Sequence, residues 1–365
     1  MKHEVFKAIL SVLFLITVSM SVALANNRDI HGVKSFIVYY GSDRVEELSR
    51  VDLAILSPLI DKEVIEELDR NNVITIGYIS LTTIGHWEPW SRNVSEDMIV
   101  ARNPAWSEDI INVTDPRWQH IVLDEAIPYI LDRGFRGVFL DNLDMVDQYP
   151  WMRDSIIKLV KMIRSRYPGI IMVVNRGFTL IDSIAPYIDA VLFEAFATYY
   201  NFTSHQYLKW SGSDYIWMIN TAEHLRELGK RYGFIVLALG YTDLDNKTML
   251  YEYSIYVNKL AETYGFIPYV AEITLTKINP LYPWNKTSTT TLLENKSQTT
   301  IQENQSTKTQ ATTHFSIATT YNTTEATEGS EQEFLEPSRL WLLLIPTIVV
   351  LVLGIALAKT RKHTN

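Results

Sequence analysis

The chain has 365 residues, 47% of them apolar, which allows one large domain with appendages and a sizeable core. Its net charge of −9, with no basic stripe, argues against nucleic acid as a partner. It has no cysteine, so a small disulfide-stapled module is excluded and any exported domain must be held by its core alone.

Residues 1–25 read as a secretory signal peptide. Lys2 and Lys7 give a positive start, an apolar run follows over 8–22, and Ala23-Leu24-Ala25 is an A-x-A cleavage site. The alternative is an uncleaved anchor. The folded domain is expected over 26–284. From Ser35 to Glu272 short apolar runs alternate with longer amphipathic ones. Strands are expected at 35–40, 51–56, 73–79, 138–140, 170–174, 190–193, 234–239 and 267–271. Asp61 caps a helix with Val64, Ile65 and Leu68 on one face. Asp115-Pro116 opens another, with Ile121, Ile127, Ile130 and Leu131 inward and Gly134 as its stop. Further helices are expected over 151–167, 213–228 and 247–264.

The connection from Ser80 to Asp115 is long and holds Trp87, Trp90 and Trp106; a loop of that length in a compact domain is usually functional. Eight strand–helix units in about 240 residues fit one (β/α)8 TIM barrel. A doubly wound open sheet is the competing fold, but no G-x-G-x-x-G loop follows any strand.

Residues 285–337 are rich in Thr, Ser, Asn, Gln and Glu, too poor in large apolar side chains to offset the entropy of folding. They read as a disordered, glycosylated stalk, with N-x-S/T sequons at Asn285, Asn295, Asn304 and Asn322. Four more sequons fall in the folded part, at Asn93, Asn112, Asn201 and Asn246. Residues 338–358 read as one transmembrane helix: the uncharged apolar run over 340–358, at about 1.5 Å per residue, is long enough to span. Lys359, Arg361 and Lys362 in the 359–365 tail mark the cytoplasmic side. The expected location is therefore the cell membrane, single-pass, with the main domain extracellular.

In a barrel the strand ends converge on one face. Here they carry Tyr40, Ser80, Asp141, Asn175, Glu194, Tyr241 and Glu272. Asp141 and Glu194 end the fourth and sixth strands, close enough around a barrel mouth to flank one bond. Hydrolysis of a glycosidic bond needs such a pair, one carboxyl protonating the leaving oxygen and the other attacking or activating water. Their mutual repulsion raises one pKa and keeps the acid protonated near neutrality. The competing reading makes one carboxylate a helix cap and pairs the other with Arg136 or Arg176. Asp141, Asp144 and Asp147 lie close in sequence, but no histidine cluster joins them and no Ca²⁺-loop spacing is met, so neither metal nor cofactor is expected. No G-x-S-x-G and no H-E-x-x-H is present. Trp87, Trp90, Tyr199, Tyr200 and Tyr241 fall in loops on the same side, where aromatic faces suit sugar rings.

Several stretches resemble glycoside hydrolase family 114, the endo-α-1,4-polygalactosaminidase-like barrels. They are Gly77-Tyr78-Ile79-Ser80 with Gly85-His86-Trp87-Glu88 and Arg92; Trp118 ahead of Gly134-Phe135-Arg136-Gly137-Val138-Phe139-Leu140-Asp141-Asn142-Leu143-Asp144; Asn175-Arg176-Gly177; Glu194; and Gly265-Phe266-Ile267-Pro268-Tyr269-Val270. The resemblance spans Ser35 to Glu272. It implies an eight-stranded barrel and an extracellular hydrolase of α-linked galactosamine-containing polysaccharide. It maps the catalytic pair onto Asp141, as nucleophile, and Glu194, as acid/base. The expected substrate-binding set is Tyr40, Glu88, Trp90, Arg92, Asn142, Asn175, Tyr199 and Tyr241. A non-catalytic carbohydrate-binding or adhesive barrel is the alternative, and the separation of the Asp141 and Glu194 carboxyls discriminates the two.

Overall fold

A computed structural model describes residues 28–103 and 108–283. The expected signal peptide, the stalk with its four sequons, the transmembrane helix, the basic tail and Trp106 lie outside these residues. Among the described residues no helix is long and apolar enough to cross a membrane.

In chain order the elements are β1 (Phe36–Tyr39), α1 (Val45–Leu48), β2 (Leu53–Leu56), α2 (Lys62–Arg70), β3 (Ile74–Ser80), β4 (Thr83–Gly85), β5 (Ile99–Asn103), β6 (Glu108–Ile111), α3 (Pro116–His120), α4 (Ile127–Asp132) and β7 (Gly137–Asp141). Then come α5 (Met145–Gln148), α6 (Arg153–Arg166), β8 (Ile171–Asn175), α7 (Ile181–Ile184), β9 (Ala190–Glu194), β10 (Thr198–Asn201), β11 (Gln206–Lys209), α8 (Gly212–Tyr232), β12 (Ile235–Tyr241), α9 (Lys247–Tyr264) and β13 (Ile267–Ala271).

Eight strands form one parallel sheet in the order β1-β2-β3-β7-β8-β9-β12-β13. Every strand pairs with the next barrel strand in sequence, the pattern of a (β/α)8 barrel rather than a doubly wound sheet. The sheet curls until its two ends meet. Phe36 of β1 lies edge-on to Tyr269 of β13 at 5.8 Å, and the Tyr40 N–H donates to the Leu275 carbonyl at 2.9 Å. All eight strands stand where the apolar runs predict them. These runs are buried on both faces, between barrel interior and helix layer, so they lack polar alternation.

Local chemistry sets the boundaries. The Asp115 carboxylate accepts the Arg117 N–H at 2.8 Å, and Pro116 opens the helix without losing a bond. Between α3 and α4 the helix widens into a π turn over Ile121–Ala126. Pro128 follows it; the looser turn accommodates a ring that has no N–H to give and would crowd an α-helical carbonyl. Gly134, at φ +100°, then ends the helix. Gly137 lets β7 approach β8, because a Cβ there would meet the Ile171 carbonyl oxygen at 2.1 Å. In α2, Ile65 and Leu68 are buried as expected while Val64 is only half-buried.

Two features differ from the expectation. The Ser80–Asp115 connection is not plain loop: β4, β6 and β5 form a three-stranded antiparallel sheet in that order. After β9 an antiparallel hairpin, β10–β11, precedes α8. Both are made of strands of three to five residues, all but β4 with a charged or amide side chain, too short to show a clean period of two.

Candidate active site

Strand periodicity builds the site. Along a strand alternate side chains share a face, so Val38 and Tyr40, Phe139 and Asp141, Leu192 and Glu194, and Leu239 and Tyr241 point the same way in pairs. All eight line one cleft at the carboxyl end of the barrel, with Asn175 and Leu275. The first member of each pair makes an apolar floor. The second members, with Asn175, form a polar layer above it.

Asp141 and Glu194 both face this cleft while being only 3% and 8% exposed. One Asn175 amide group joins them: its Nδ2 donates to Asp141 Oδ1 at 2.8 Å and to Glu194 Oε2 at 2.6 Å. Those two bonds to one nitrogen hold the two carboxylate oxygens no more than their sum, 5.4 Å, apart. Asp141 Oδ1 also accepts the Asn142 N–H at 2.8 Å, and Glu194 Oε1 accepts the Tyr241 hydroxyl at 2.6 Å.

The residues after Asp141, Asn175 and Glu194 all have left-handed backbone, with φ of +62° at Asn142, +49° at Arg176 and +58° at Ala195. Such conformations cost a non-glycine residue about 1–2 kcal/mol each. Three at the ends of three neighbouring strands are the kind of local strain that collects where side chains are held for function.

The electrostatics separate the two acids. Burial raises Glu194 to about 7; the charge of Asp141 adds to that, and the bonds from Asn175 and Tyr241 oppose it. Asp141 is also raised by burial, but the Asn175 amide, the Asn142 N–H and the charge of Arg176 pull it back. Glu194 is thus disposed to carry a proton near neutral pH. Tyr241 and Tyr40 are pushed well above 10, first by burial and then by these carboxylates, so both phenols keep their protons.

Arg176 does not pair with either acid. Its Nε lies 3.1 Å from Asp144 Oδ2, and burial nonetheless raises Asp144 to about 6. Asp141 caps no helix, since its carboxylate is held by Asn142 and Asn175 at a strand end.

Of the expected substrate-binding residues, Tyr40, Asn175 and Tyr241 come together in the cleft with the two acids. Asn142 lies beneath them, donating to Ser80 Oγ at 2.9 Å and Thr83 Oγ1 at 3.0 Å. Glu88 is buried away from the lining, accepting the Gly85 N–H at 3.1 Å, and burial pushes it well above 4.5. Trp90 is buried edge-on against Tyr129 at 5.9 Å, a packing contact with the helix, and Arg92 is exposed on the 3-10 turn Pro89–Asn93. Tyr199 sits on the β10–β11 hairpin, stacked on Trp210 at 3.9 Å. Glu272 turns into its own loop, accepting the N–H groups of Thr274 at 2.7 Å and Thr276 at 2.8 Å.

Three residues near the pair are not among the expected site residues, Tyr78 standing only within the family-like stretch Gly77-Tyr78-Ile79-Ser80. Tyr78 is in mid-strand, fully buried, its phenol raised by burial and by the Asp141 charge. Glu108 is in β6, raised to about 8 by burial and then by Asp141. Leu275 closes the cleft three residues past Glu272, the last expected strand end. A composition-based reading sees only an apolar strand, a charged loop and a tail.

Among curated proteins no sequence matches this chain significantly. Solved structures do. The glycoside hydrolase domain of PelA from Pseudomonas aeruginosa is 20% identical with a TM-score of 0.58, over 67% of this chain and 97% of that one. Ega3 from Aspergillus fumigatus, solved in complex with galactosamine, is 16% identical with a TM-score of 0.54, over 69% and 95%. At these identities the likeness speaks for the fold. The class comes from the sequence signature of glycoside-hydrolase family GH114, which matches residues 35–290, so the whole described barrel lies in the matched span and the chain belongs to that family of glycoside hydrolases.

Proposed function

We propose that this protein is a membrane-anchored, extracellular glycoside hydrolase that cleaves within α-linked galactosamine-type polysaccharides, using Asp141 and Glu194. The observation that carries the reading is the Asn175 bridge, which keeps one oxygen of each buried carboxylate within 5.4 Å of the other, the sum of its bonds of 2.8 and 2.6 Å. Two carboxyls facing one cleft are what hydrolysis of a glycosidic bond requires, and their shared cleft favours catalysis over a binding-only barrel. The galactosamine assignment draws on the likeness to Ega3, whose structure holds that sugar. The anchor and location draw on the sequence pattern of residues 1–25 and 338–358.

In this mechanism Asp141 attacks the anomeric carbon as the protonated Glu194 gives its proton to the departing glycosidic oxygen. A glycosyl ester on Asp141 results. Water then enters; Glu194, now ionised, takes its proton as the oxygen attacks the same carbon and the ester bond breaks. Two inversions give net retention. Tyr241 steadies Glu194 through both steps, and Tyr40 lines the same cleft.

The test is a purified ectodomain assayed on α-1,4-linked galactosamine polymers and a broad glycan panel. Chain shortening of the galactosamine polymer by internal cleavage is expected. No turnover of any glycan, with saccharide binding intact, would replace the enzyme by the adhesive reading.

A further inference from the structure

The barrel carries two additions in its loops, and each sends one side-chain donor to the residue that follows one of the two acids. The first is the small sheet β4-β6-β5, entered through the turn at residues 80–83. In that turn the Thr82 hydroxyl donates to the Asn142 carbonyl at 2.8 Å. The second is the β10–β11 hairpin, which Trp210 directly follows. Its indole N–H donates to the Ala195 carbonyl at 2.7 Å. Asn142 follows Asp141 and Ala195 follows Glu194, both with left-handed backbone, at φ +62° and +58°.

A non-glycine residue keeps such a conformation only when its surroundings fix it. Around Asn142 the bonds come from both sides. Its N–H donates to Asp141 Oδ1 at 2.8 Å, its side-chain amide reaches Ser80 and Thr83, and its carbonyl takes the Met145 N–H at 3.2 Å besides the Thr82 hydroxyl. The Leu81 N–H donates to the Asp141 carbonyl at 3.1 Å, and the Ile111 N–H of β6 donates to the Thr82 carbonyl at 2.8 Å, so the small sheet anchors the turn. After Ala195 the peptide is gripped at both ends, its oxygen by Trp210 and its Phe196 N–H by the Leu239 carbonyl at 2.8 Å. Thr198, the first residue of the hairpin, accepts the Tyr241 N–H at 2.9 Å, and Tyr241 in turn holds Glu194. Thr82 is fully buried, Trp210 is half-buried, and both stand outside the lining of the cleft.

We propose that the two additions act as braces, one for each acid: Thr82 is the positioning residue for Asp141, and Trp210 is the positioning residue for Glu194. The backbone just past a strand end sets where the last side chain of that strand points. A displacement of about 1 Å at a reacting group costs about a hundredfold in rate. The braces govern different events. Thr82 serves the attack on the anomeric carbon, which every substrate needs. Trp210 serves the proton given to the departing oxygen, which a weakly basic leaving group does not need.

This inference rests on the hydrolase reading above, and the experiment separates the two. Aryl α-glycosides of a short galactosamine oligomer are compared, one with dinitrophenol and one with phenol as the leaving group. Thr82→Val keeps the shape and loses the hydroxyl, Thr82→Ser keeps the hydroxyl, and Trp210→Phe keeps a ring without the N–H. Rates are counted per folded molecule, from the area of the calorimetric melting transition. Thr82→Val is expected to lower kcat/KM about tenfold or more on both substrates, and Thr82→Ser to return it to within about threefold of wild type. Trp210→Phe is expected to lower it about tenfold or more on the phenyl substrate and to leave the dinitrophenyl substrate within about twofold. General loosening of the barrel would give both variants one pattern. Equal losses on the two substrates in Trp210→Phe, a selective loss in Thr82→Val, no loss in either, or a Thr82→Ser as slow as Thr82→Val overturns the inference and leaves hydrolysis standing. A wild-type protein that cleaves neither substrate overturns the hydrolase reading, and the inference with it.

Discussion

The strand β9 carries a buried carboxylate at each end, and the two live differently. Asp189, just before it, is 7% exposed; Glu194, its last residue, is 8% exposed. Asp189 meets Arg164 Nη2 at 2.5 Å and Arg28 Nη2 at 3.0 Å, and accepts the Met172 N–H at 2.8 Å. Glu194 meets an amide, a phenol, the field of a second carboxylate and, more weakly, that of Arg176. Burial is therefore common to both ends of the barrel, and what differs is compensation. At the amino end cations cancel the charge, and the carboxylate ties the chain before β1 and the helix α6 to the sheet. At the carboxyl end no cation among the described residues pairs directly with Glu194, and its proton affinity rises instead. A barrel keeps its stability at one face and its reactivity at the other.

The largest expected effect breaks the reactive end. Asp141→Asn and Glu194→Gln each lower turnover on the order of 10³-fold or more, within the range for removing an acid, base or nucleophile. Both variants remain folded by circular dichroism. Glu194→Gln also sharpens the contrast through stability. The folded-state pKa of Glu194, about 7, lies above its usual 4.5, so the folded state holds the proton more tightly than the unfolded one. Stability contributed by this group is present at pH 4.5 and lost as pH rises to about 7. The variant is then expected to melt above wild type at pH 8 and close to it at pH 4.5 in scanning calorimetry. A lower melting temperature at pH 8 would mean that Glu194 is compensated after all.

The structural end gives the next effect. Arg164→Met leaves Asp189 with only the part-exposed Arg28 and the Met172 N–H, and costs about 3 kcal/mol of unfolding free energy in urea titrations. Turnover per folded molecule stays unchanged. The smallest effect is a shift in a pH profile. The Tyr241 hydroxyl donates to Glu194 and favours its ionised form, so Tyr241→Phe moves the basic limb of kcat/KM to higher pH. A move of about half a unit to one unit is expected for one hydrogen bond. A move to lower pH would show that the phenol stabilises the protonated acid instead.

Much of this was legible in the chain, for identifiable reasons. Buried parallel strands announce themselves as apolar runs, and a polar residue directly after such a run falls at the barrel mouth. That rule alone brings Tyr40, Asp141, Asn175, Glu194 and Tyr241 together. It also offers Ser80 and Glu272, and there it gives no hint that Ser80 bonds into the β3–β4 turn or that Glu272 knots its own loop. Side-chain direction at a strand end is decided by the turn that follows, and a turn of three or four residues leaves little pattern. The same limit hid the small sheet β4-β6-β5 and the hairpin β10–β11. It also made Trp90 look like a sugar platform when it packs on Tyr129. Aromatic content in a loop does not reveal which face is covered. The pairing of Arg176 with Asp144, rather than with either acid, depended on a left-handed backbone at Arg176 that its residue type does not favour.

The stereochemistry of the first product tests the central claim most directly. Proton NMR of α-1,4-linked galactosamine oligomers during the first minutes of cleavage reports which anomer is released before mutarotation. With Asp141 attacking the anomeric carbon and water entering only after the glycosyl ester has formed, two inversions occur and the α anomer should appear first. Initial release of the β anomer would contradict the account, because it requires single displacement by water, with no covalent bond to Asp141.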